Sequence, residues 1–278
     1  MKLYTIHSGY FKLDGGAMFG VVPKVIWNKL NPADSNNLCT WAMRLLLMED
    51  GNRLILIDTG LGNKQSEKFF SHYEPSGDNH LEKSLGKLGF GLDEITDVIL
   101  THLHFDHCGG AVSIQNEKLV PTFKNAIYWS NEKHFEWALH PNPRERASFL
   151  KENFEILQSE GRVQYVADGD RIGENMYVRT VNGHTEQMLI PHIEVKDKTL
   201  VYMADLIPSY AHIPVPYVMG YDIRPLDCLK ERSEFLERGL ENNHVLFFEH
   251  DPQIECCSLI KTEKGIRGAD TFALSELF

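Results

Sequence analysis

Three imidazoles and a carboxylate fall within six residues of the stretch Thr101-His102-Leu103-His104-Phe105-Asp106-His107-Cys108-Gly109-Gly110. Imidazole nitrogen and carboxylate oxygen are the ligands that suit zinc and neighbouring divalent ions. The apolar run Val98-Ile99-Leu100 just ahead reads as a buried strand. Along an extended chain His102 and His104 then point to the same side, because side chains alternate with a period of two. Asp106 and His107 follow where the chain turns, and Gly109-Gly110 allows a tight bend away. One loop can thus present two pairs of ligands to two adjacent metal ions. The competing reading, a set of solvated loop histidines, requires this clustering to be coincidence. Cys108 reads as a small buried thiol rather than a nucleophile.

Such a loop needs a scaffold. The chain has 278 residues, with 28 Lys+Arg against 39 Asp+Glu and a formal net charge of −11. That balance disfavours a nucleic-acid partner, which needs a basic surface. Histidine stands out at 13 residues, and the 5 cysteines show no CxxC spacing, so reduced thiols and a cytoplasmic location are expected. No segment reads as a signal peptide or as a membrane span of roughly 18 or more apolar residues, so no membrane partner is expected. Strands are predicted over 38–48 and 53–58, joined by a turn at 49–52, and over 98–100, 163–166, 177–181, 189–195, 200–203 and 244–249. Helices are predicted over 79–89, 131–139, 144–158 and 226–239. With no linker or repeat, residues 1–278 read as one domain of α+β or α/β type.

The motif HxHxDH, filled by His102, His104, Asp106 and His107, resembles the signature of the metallo-β-lactamase superfamily. Asp58-Thr59-Gly60 resembles its DTG turn, Gly183-His184-Thr185 its GHT turn, Asp205 its metal-bridging aspartate and Glu249-His250-Asp251 its last histidine ligand. The resemblance implies an αββα sandwich with metals at one edge. It also implies that His102, His104 and His184 hold one divalent ion, that Asp106, His107 and His250 hold a second, and that Asp205 bridges them. Asp58 supports the ligand loop through hydrogen bonds. Zinc is the first expectation, with iron, manganese or cobalt as alternatives. Two such ions sharing a water lower its pKa from ~15.7 toward neutrality, and the hydroxide can attack an ester, lactone or phosphoester. Asp106 and Asp205 are the catalytic carboxylates of this reading, Asp106 orienting the nucleophile or passing a proton to the leaving alkoxide.

Within the superfamily the chain resembles the quorum-quenching N-acyl-homoserine lactonases and the methyl parathion hydrolase-like enzymes. His104 stands where the oxygen-reducing branch has glutamate, and too little chain follows His250 for the helical domain of glyoxalase II. The expected substrate is a small hydrophobic lactone or ester. An organophosphate or aryl-ester hydrolase is the alternative, and a thioesterase or a non-catalytic interaction module follows behind. Aromatic, turn-rich segments around 9–27 and 208–221 suggest Phe19, Val22, Tyr210, His212 and Tyr217 as substrate-binding walls. The competing reading makes those segments core-packing loops or a homodimer contact. Better-known lactonases carry a tyrosine three residues beyond the bridging aspartate. This chain has Pro208 there, leaving Tyr210, Tyr217 or His212 to substitute.

Overall fold

Alternating apolar residues in the first quarter of the chain build two surfaces at once. In β2 (Leu38–Asp50), Leu46 and Met48 belong to one core and Leu45 and Leu47 to another; in β3 (Arg53–Ile57), Ile55 and Ile57 likewise oppose Leu54 and Leu56. Strands apolar on both faces require cover on both. In the computed structural model, which describes residues 1–77 and 80–277, a second sheet covers one side and helices the other.

The first sheet runs in the order β1 (Lys2–Asp14), β2, β3, β4 (Asp97–Ile99) and then, past a separate hairpin of β5 (Val112–Gln115) and β6 (Lys118–Pro121), β7 (Ile127–Ser130) and β8 (Val163–Tyr165). The second comprises β9 (Met176–Val181), β10 (Met188–Val195), β11 (Lys198–Tyr202), β12 (His244–Phe247), β13 (Cys256–Thr262) and β14 (Gly265–Phe272), in reverse spatial order. Short helices α1 (Gly15–Phe19), α2 (Lys24–Trp27) and α3 (Glu67–Tyr73) precede α4 (Leu81–Lys87), α5 (Phe105–Cys108), α6 (Glu132–Leu139) and α7 (Glu155–Ser159). Leu85, Phe135, Ala138 and Leu157 from α4, α6 and α7 pack on the outer face of the first sheet. The long helix α8 (Pro225–Glu241) turns Phe235 and Leu236 into the core of the second. The αββα sandwich implied by the motifs is the observed fold. Among the described residues, no helix is long and apolar enough to cross a membrane.

Strand direction decides where the site can be. β9 is antiparallel to β10, β10 is antiparallel to β11, and β11 is parallel to β12. β9, β11 and β12 therefore run the same way, and the loops that follow them carry His184, Asp205 and His250 to one edge. β3 and β4 are parallel as well, and the 100–107 segment leaves β4 toward that same edge.

Several predicted elements take a different form. The predicted helix over 79–89 is α4, and Asn79 lies outside the described residues, as does Phe278 at the end of the predicted domain. The helix predicted over 144–158 is broken into turns, a 3-10 turn at Lys151–Asn153 and the short α7. Asn142 Oδ1 accepts from the backbone N–H groups of Arg144 and Glu145, at 2.9 and 3.2 Å, and such local bonds compete with helix propagation. Strands β1, β5, β6 and β7 and the β13–β14 hairpin have no counterpart among the predicted strands. β1 is an edge strand interrupted by a register shift between His7 and Tyr10, and β14 is largely unburied, so neither carries a clean alternation. All five cysteines are free and buried.

The glycine pair after the metal motif has another purpose than the expected bend. Gly109 has φ −58, an ordinary helical value. A Cβ there would strike the Leu61 carbonyl, and one on Gly110 the Thr59 carbonyl. The pair lets the ligand loop lie flat on the chain leaving β3, and Lys64 Nζ donates to the Gly109 carbonyl from that side. Gly109→Ala is expected to lower unfolding stability by about 1–3 kcal/mol. Denaturant melts check this, and an unchanged midpoint would refute the close-approach reading.

Candidate metal centre

Asp58 directly follows β3 with φ +59, a left-handed backbone conformation uncommon outside glycine. Its N–H donates to the Ile99 carbonyl at 2.8 Å, and its carboxylate accepts from Thr101 N (2.8 Å) and Thr101 Oγ1 (2.6 Å). Thr59 donates to the His107 carbonyl from both its N–H, at 2.7 Å, and its hydroxyl, at 2.9 Å. These bonds lock both ends of the HxHxDH loop to the end of β3.

The seven residues implied as ligands come together in two buried groups. In the first, His104 Nδ1 lies 3.1 Å from His102 Nε2 and 3.2 Å from His184 Nε2, and Asp205 Oδ2 lies 3.1 Å from His184 Nε2. In the second, His107 Nε2 and His250 Nε2 are 3.1 Å apart, with Asp106 Oδ2 at 3.8 and 3.7 Å from them. Asp205 faces this group too, its Oδ1 lying 3.3 Å from His250 Nε2. A tetrahedral zinc with Zn–N near 2.0–2.1 Å sets its ligands roughly 3.3 Å apart. The observed separations match that spacing. Asp205 Oδ1 is a buried oxygen with no hydrogen-bond partner among the described residues. The donor set therefore fits divalent cations.

Four of the five imidazoles are oriented by a hydrogen-bond partner on the other edge. Thr101 Oγ1 lies 3.1 Å from His102 Nδ1; having given its own proton to Asp58, it accepts there. His107 Nδ1 donates to Asp58 Oδ2 (3.1 Å), His184 Nδ1 to Asp222 Oδ1 (2.9 Å) and His250 Nδ1 to the Ala42 carbonyl (2.8 Å). His104 Nε2 faces Glu145 Oε1 at 3.8 Å. Such outer partners fix the tautomer and raise ligand basicity. Only Asp58 was expected from the sequence; Asp222, Glu145 and Ala42 belong to loops or a strand far away in the chain.

His134 was another residue without an expected role. Its Nε2 accepts from Leu103 N–H at 2.8 Å, so its Nδ1 carries the proton and donates to the Glu186 carbonyl at 2.6 Å. Burial pushes it down to about 3, which keeps it neutral for this task. It ties the backbone between His102 and His104 to the loop behind His184. From α8, the buried Arg232 adds a clamp, with Nε donating to Leu206 O at 2.6 Å and Nη2 lying 3.7 Å from Asp222 Oδ2.

The two groups open into a cavity of about 260 Å³ that also exposes Leu13, Met18, Phe105, Arg144, Met219 and Tyr221. None of Phe19, Val22, Tyr210, His212 or Tyr217 lines it. Phe19 is fully buried, stacked between Trp27 and His212 with centroids 5.4 and 4.6 Å away, and Tyr217 meets it edge-on. His212 is held between Ser209 Oγ (2.7 Å) and the Met18 carbonyl (2.9 Å). Tyr210 donates to the Gly268 carbonyl at 3.1 Å, and Val22 is half-buried against the Phe19 cluster. Through Met18, the Phe19–His212 stack supports the wall from behind. Arg144 Nη2 donates to the Gly220 and Asp222 carbonyls, bracing the loop that presents Tyr221. Periodicity could not reveal these lining residues, because they lie on loops, on one-turn helices or at the end of an irregular edge strand.

The chain matches the Metallo-beta-lactamase superfamily over residues 45–250 and belongs to it. It is a metal-dependent hydrolase of that superfamily. It is similar to the N-acyl homoserine lactonase of Bacillus thuringiensis, with 26% identity over 274 residues, covering 91% of this chain and 94% of the relative. Among solved structures, a probable metal-dependent hydrolase from Staphylococcus aureus superposes with a TM-score of 0.89 at 24% identity, covering 98% of this chain and 96% of that one. AidC, a dizinc quorum-quenching lactonase in complex with a product, superposes with a TM-score of 0.80 at 22% identity, over 98% and 95% of the two chains.

The centre's electrostatics give a test in protein stripped of metal. Burial alone would lower His184 and His250, but Asp205 outweighs it, with Asp222 helping at His184, and both rise from 6.5 to about 9. A histidine whose folded pKa is raised contributes stability fully present below its unfolded pKa of ~6.5, and that contribution is lost as pH climbs through the folded value. The Tm of metal-stripped protein should therefore fall between pH ~6.5 and ~9, and less so after reloading with zinc, because the ion takes over the role of the protons. A flat or rising Tm for the stripped protein across that window would contradict the assignment.

Proposed function

We propose that the chain is a single-domain dinuclear hydrolase that opens N-acyl-homoserine lactones or related hydrophobic lactones and esters, with zinc as the first choice of ion. The observation that carries this reading is the pair of ligand groups on either side of Asp205, at the floor of a small cavity with apolar and hydroxyl-bearing walls. The similarity to N-acyl homoserine lactonases over nine-tenths of the chain supports the substrate class.

Bound there, divalent ions supply polarisation of the substrate carbonyl and a water that ionises near neutral pH. His102, His104, His184 and Asp205 would hold one ion; Asp106, His107, His250 and Asp205 the other. Asp106 lines the cavity, where its carboxylate can take the proton of the attacking water and return it to the leaving alkoxide. Tyr221 takes the place of the tyrosine that Pro208 lacks. A phenol stays protonated at neutral pH, so its O–H can donate to the carbonyl oxygen as charge develops. Leu13, Met18, Phe105 and Met219 offer apolar contact to an acyl chain.

The decisive experiment pairs metal analysis with hydrolysis assays on acyl lactones, aryl esters, phosphotriesters and glutathione thioesters. Lactone turnover should dominate, and a thioester or phosphotriester preference without lactone turnover would overturn the substrate class. Asp106→Asn and His250→Ala should each cut kcat by at least about 10²-fold. Near-normal turnover in either variant defeats the two-ion mechanism. Tyr221→Phe should lower kcat on the order of 10²-fold with little change in bound metal. An unchanged kcat removes Tyr221 from the chemistry.

A further inference from the structure

Glu249 stands directly before the ligand His250 and has no role in the reading above. It is fully buried at the end of β12. Its Oε2 lies 2.9 Å from His107 Nδ1, the same nitrogen that Asp58 Oδ2 approaches to 3.1 Å. One imidazole edge carries one N–H and therefore serves one acceptor well. Asp58 is aligned with it, whereas both oxygens of Glu249 lack a hydrogen-bond partner among the described residues. Its only ion pair among those residues is the one with His107. The buried Arg44 nearby spends its Nη1 on the carbonyls of Phe248 and Ile254, and the Tyr202 hydroxyl donates to the Arg44 carbonyl.

A buried carboxylate without a donor is unfavourable unless a positive charge faces it. Its ion-pair partner His107 turns its other nitrogen toward Asp106 and His250, so an ion held there would face Glu249 through the imidazole. We propose that Glu249 is a positioning residue that, together with Asp58, backs the Nδ1 edge of His107 with two carboxylates and thereby holds the ion of the Asp106–His107–His250 group more tightly, without touching ion or substrate. Carboxylates behind a ligating imidazole raise its basicity and hold its ring orientation. Asp58 does this through a hydrogen bond and Glu249 through proximity of charge. The same arrangement explains why a buried acid is tolerated next to a second one. This inference rests on the two-ion reading and concerns the relative strength of its two sites.

The test reads metal rather than turnover. Wild-type protein and Glu249→Gln, both fully loaded with zinc, are dialysed against a weak chelator, and the ions per chain are counted. Both are also stripped, melted, and melted again after zinc is restored. Wild type should retain two ions and the variant about one, with the weaker binding class loosened about 10–100-fold. The rise in Tm on adding zinc should shrink in the variant while the Tm of its stripped form does not fall. Two ions held with unchanged affinity would overturn the proposal. Equal Tm losses in stripped and loaded forms would reduce Glu249 to ordinary packing and overturn it as well. A third ion in wild type that the variant loses would place a cation between Asp58 and Glu249 and overturn it too. Wild type that binds a single ion would instead sink the two-ion reading itself. Should Glu249→Gln fail to fold, Glu249→Ser removes the carboxylate and carries the same measurements.

Discussion

The Asp58 carboxylate is the contact on which the rest of the site depends. One oxygen accepts from Thr101 N–H; the other accepts from both Thr101 Oγ1 and His107 Nδ1. Through Thr101 it orients His102, and directly it orients His107, so a single side chain aims one imidazole into each ligand group. It does so from a left-handed backbone position at the end of β3, which the Ile99 carbonyl and the paired bonds from Thr59 to His107 hold in place. Strain of this kind persists only where the surroundings over-determine it, and it concentrates at functional sites.

His184, His250 and the chain between His102 and His104 are fixed by a division of labour among elements. His184 is held by Asp222, which Arg232 of α8 approaches; His250 is held by a carbonyl of β2; Leu103, between two ligands, is held by His134 of α6. His184, His250 and the Leu103 backbone are thus pinned by parts of the molecule that did not supply them. Imidazole nitrogens 3.1–3.2 Å apart repel unless a proton or a cation lies between them. That repulsion has to be borne by the two sheets, whose shared core lies beneath the site and runs from Leu46 and Ile57 across to Leu189, Val201 and Leu246. The cavity above is small, about 260 Å³, and its walls come mostly from loops and short helices, with Leu13 from the end of β1. Loop variation on a rigid scaffold is how one fold serves different substrates.

Much of this was legible in the residues themselves. The HxHxDH spacing, the alternation in β2 and β3 and the i, i+4, i+7 leucines of α4 are local patterns, and local patterns survive in a linear string. The breaking of the predicted helix over 144–158 was not legible, because Glu145 is turned inward to Thr185, Trp137 and Asn142, and nothing in the local periodicity announces that demand. The aromatic residues expected to line the pocket illustrate a second limit. Composition marked 9–27 and 208–221 as apolar and close to the site, but it could not tell a wall from the packing behind it. Phe19 and His212 stack on each other, and Met18 and Tyr221 reach the cavity.

By itself, the sequence determined which imidazoles and carboxylates gather at one edge, their order and the αββα family of folds, because coordination chemistry and strand alternation are written in residue type and spacing. Only the tertiary structure decided which nitrogen of each imidazole faces inward, that His134 and Asp222 anchor the ligand loops, and that Glu249 stands with Asp58 behind His107. Those are contacts between residues separated by tens to more than a hundred positions. They exist only because β9, β11 and β12 run the same way and end beside β4 at one edge of the sandwich.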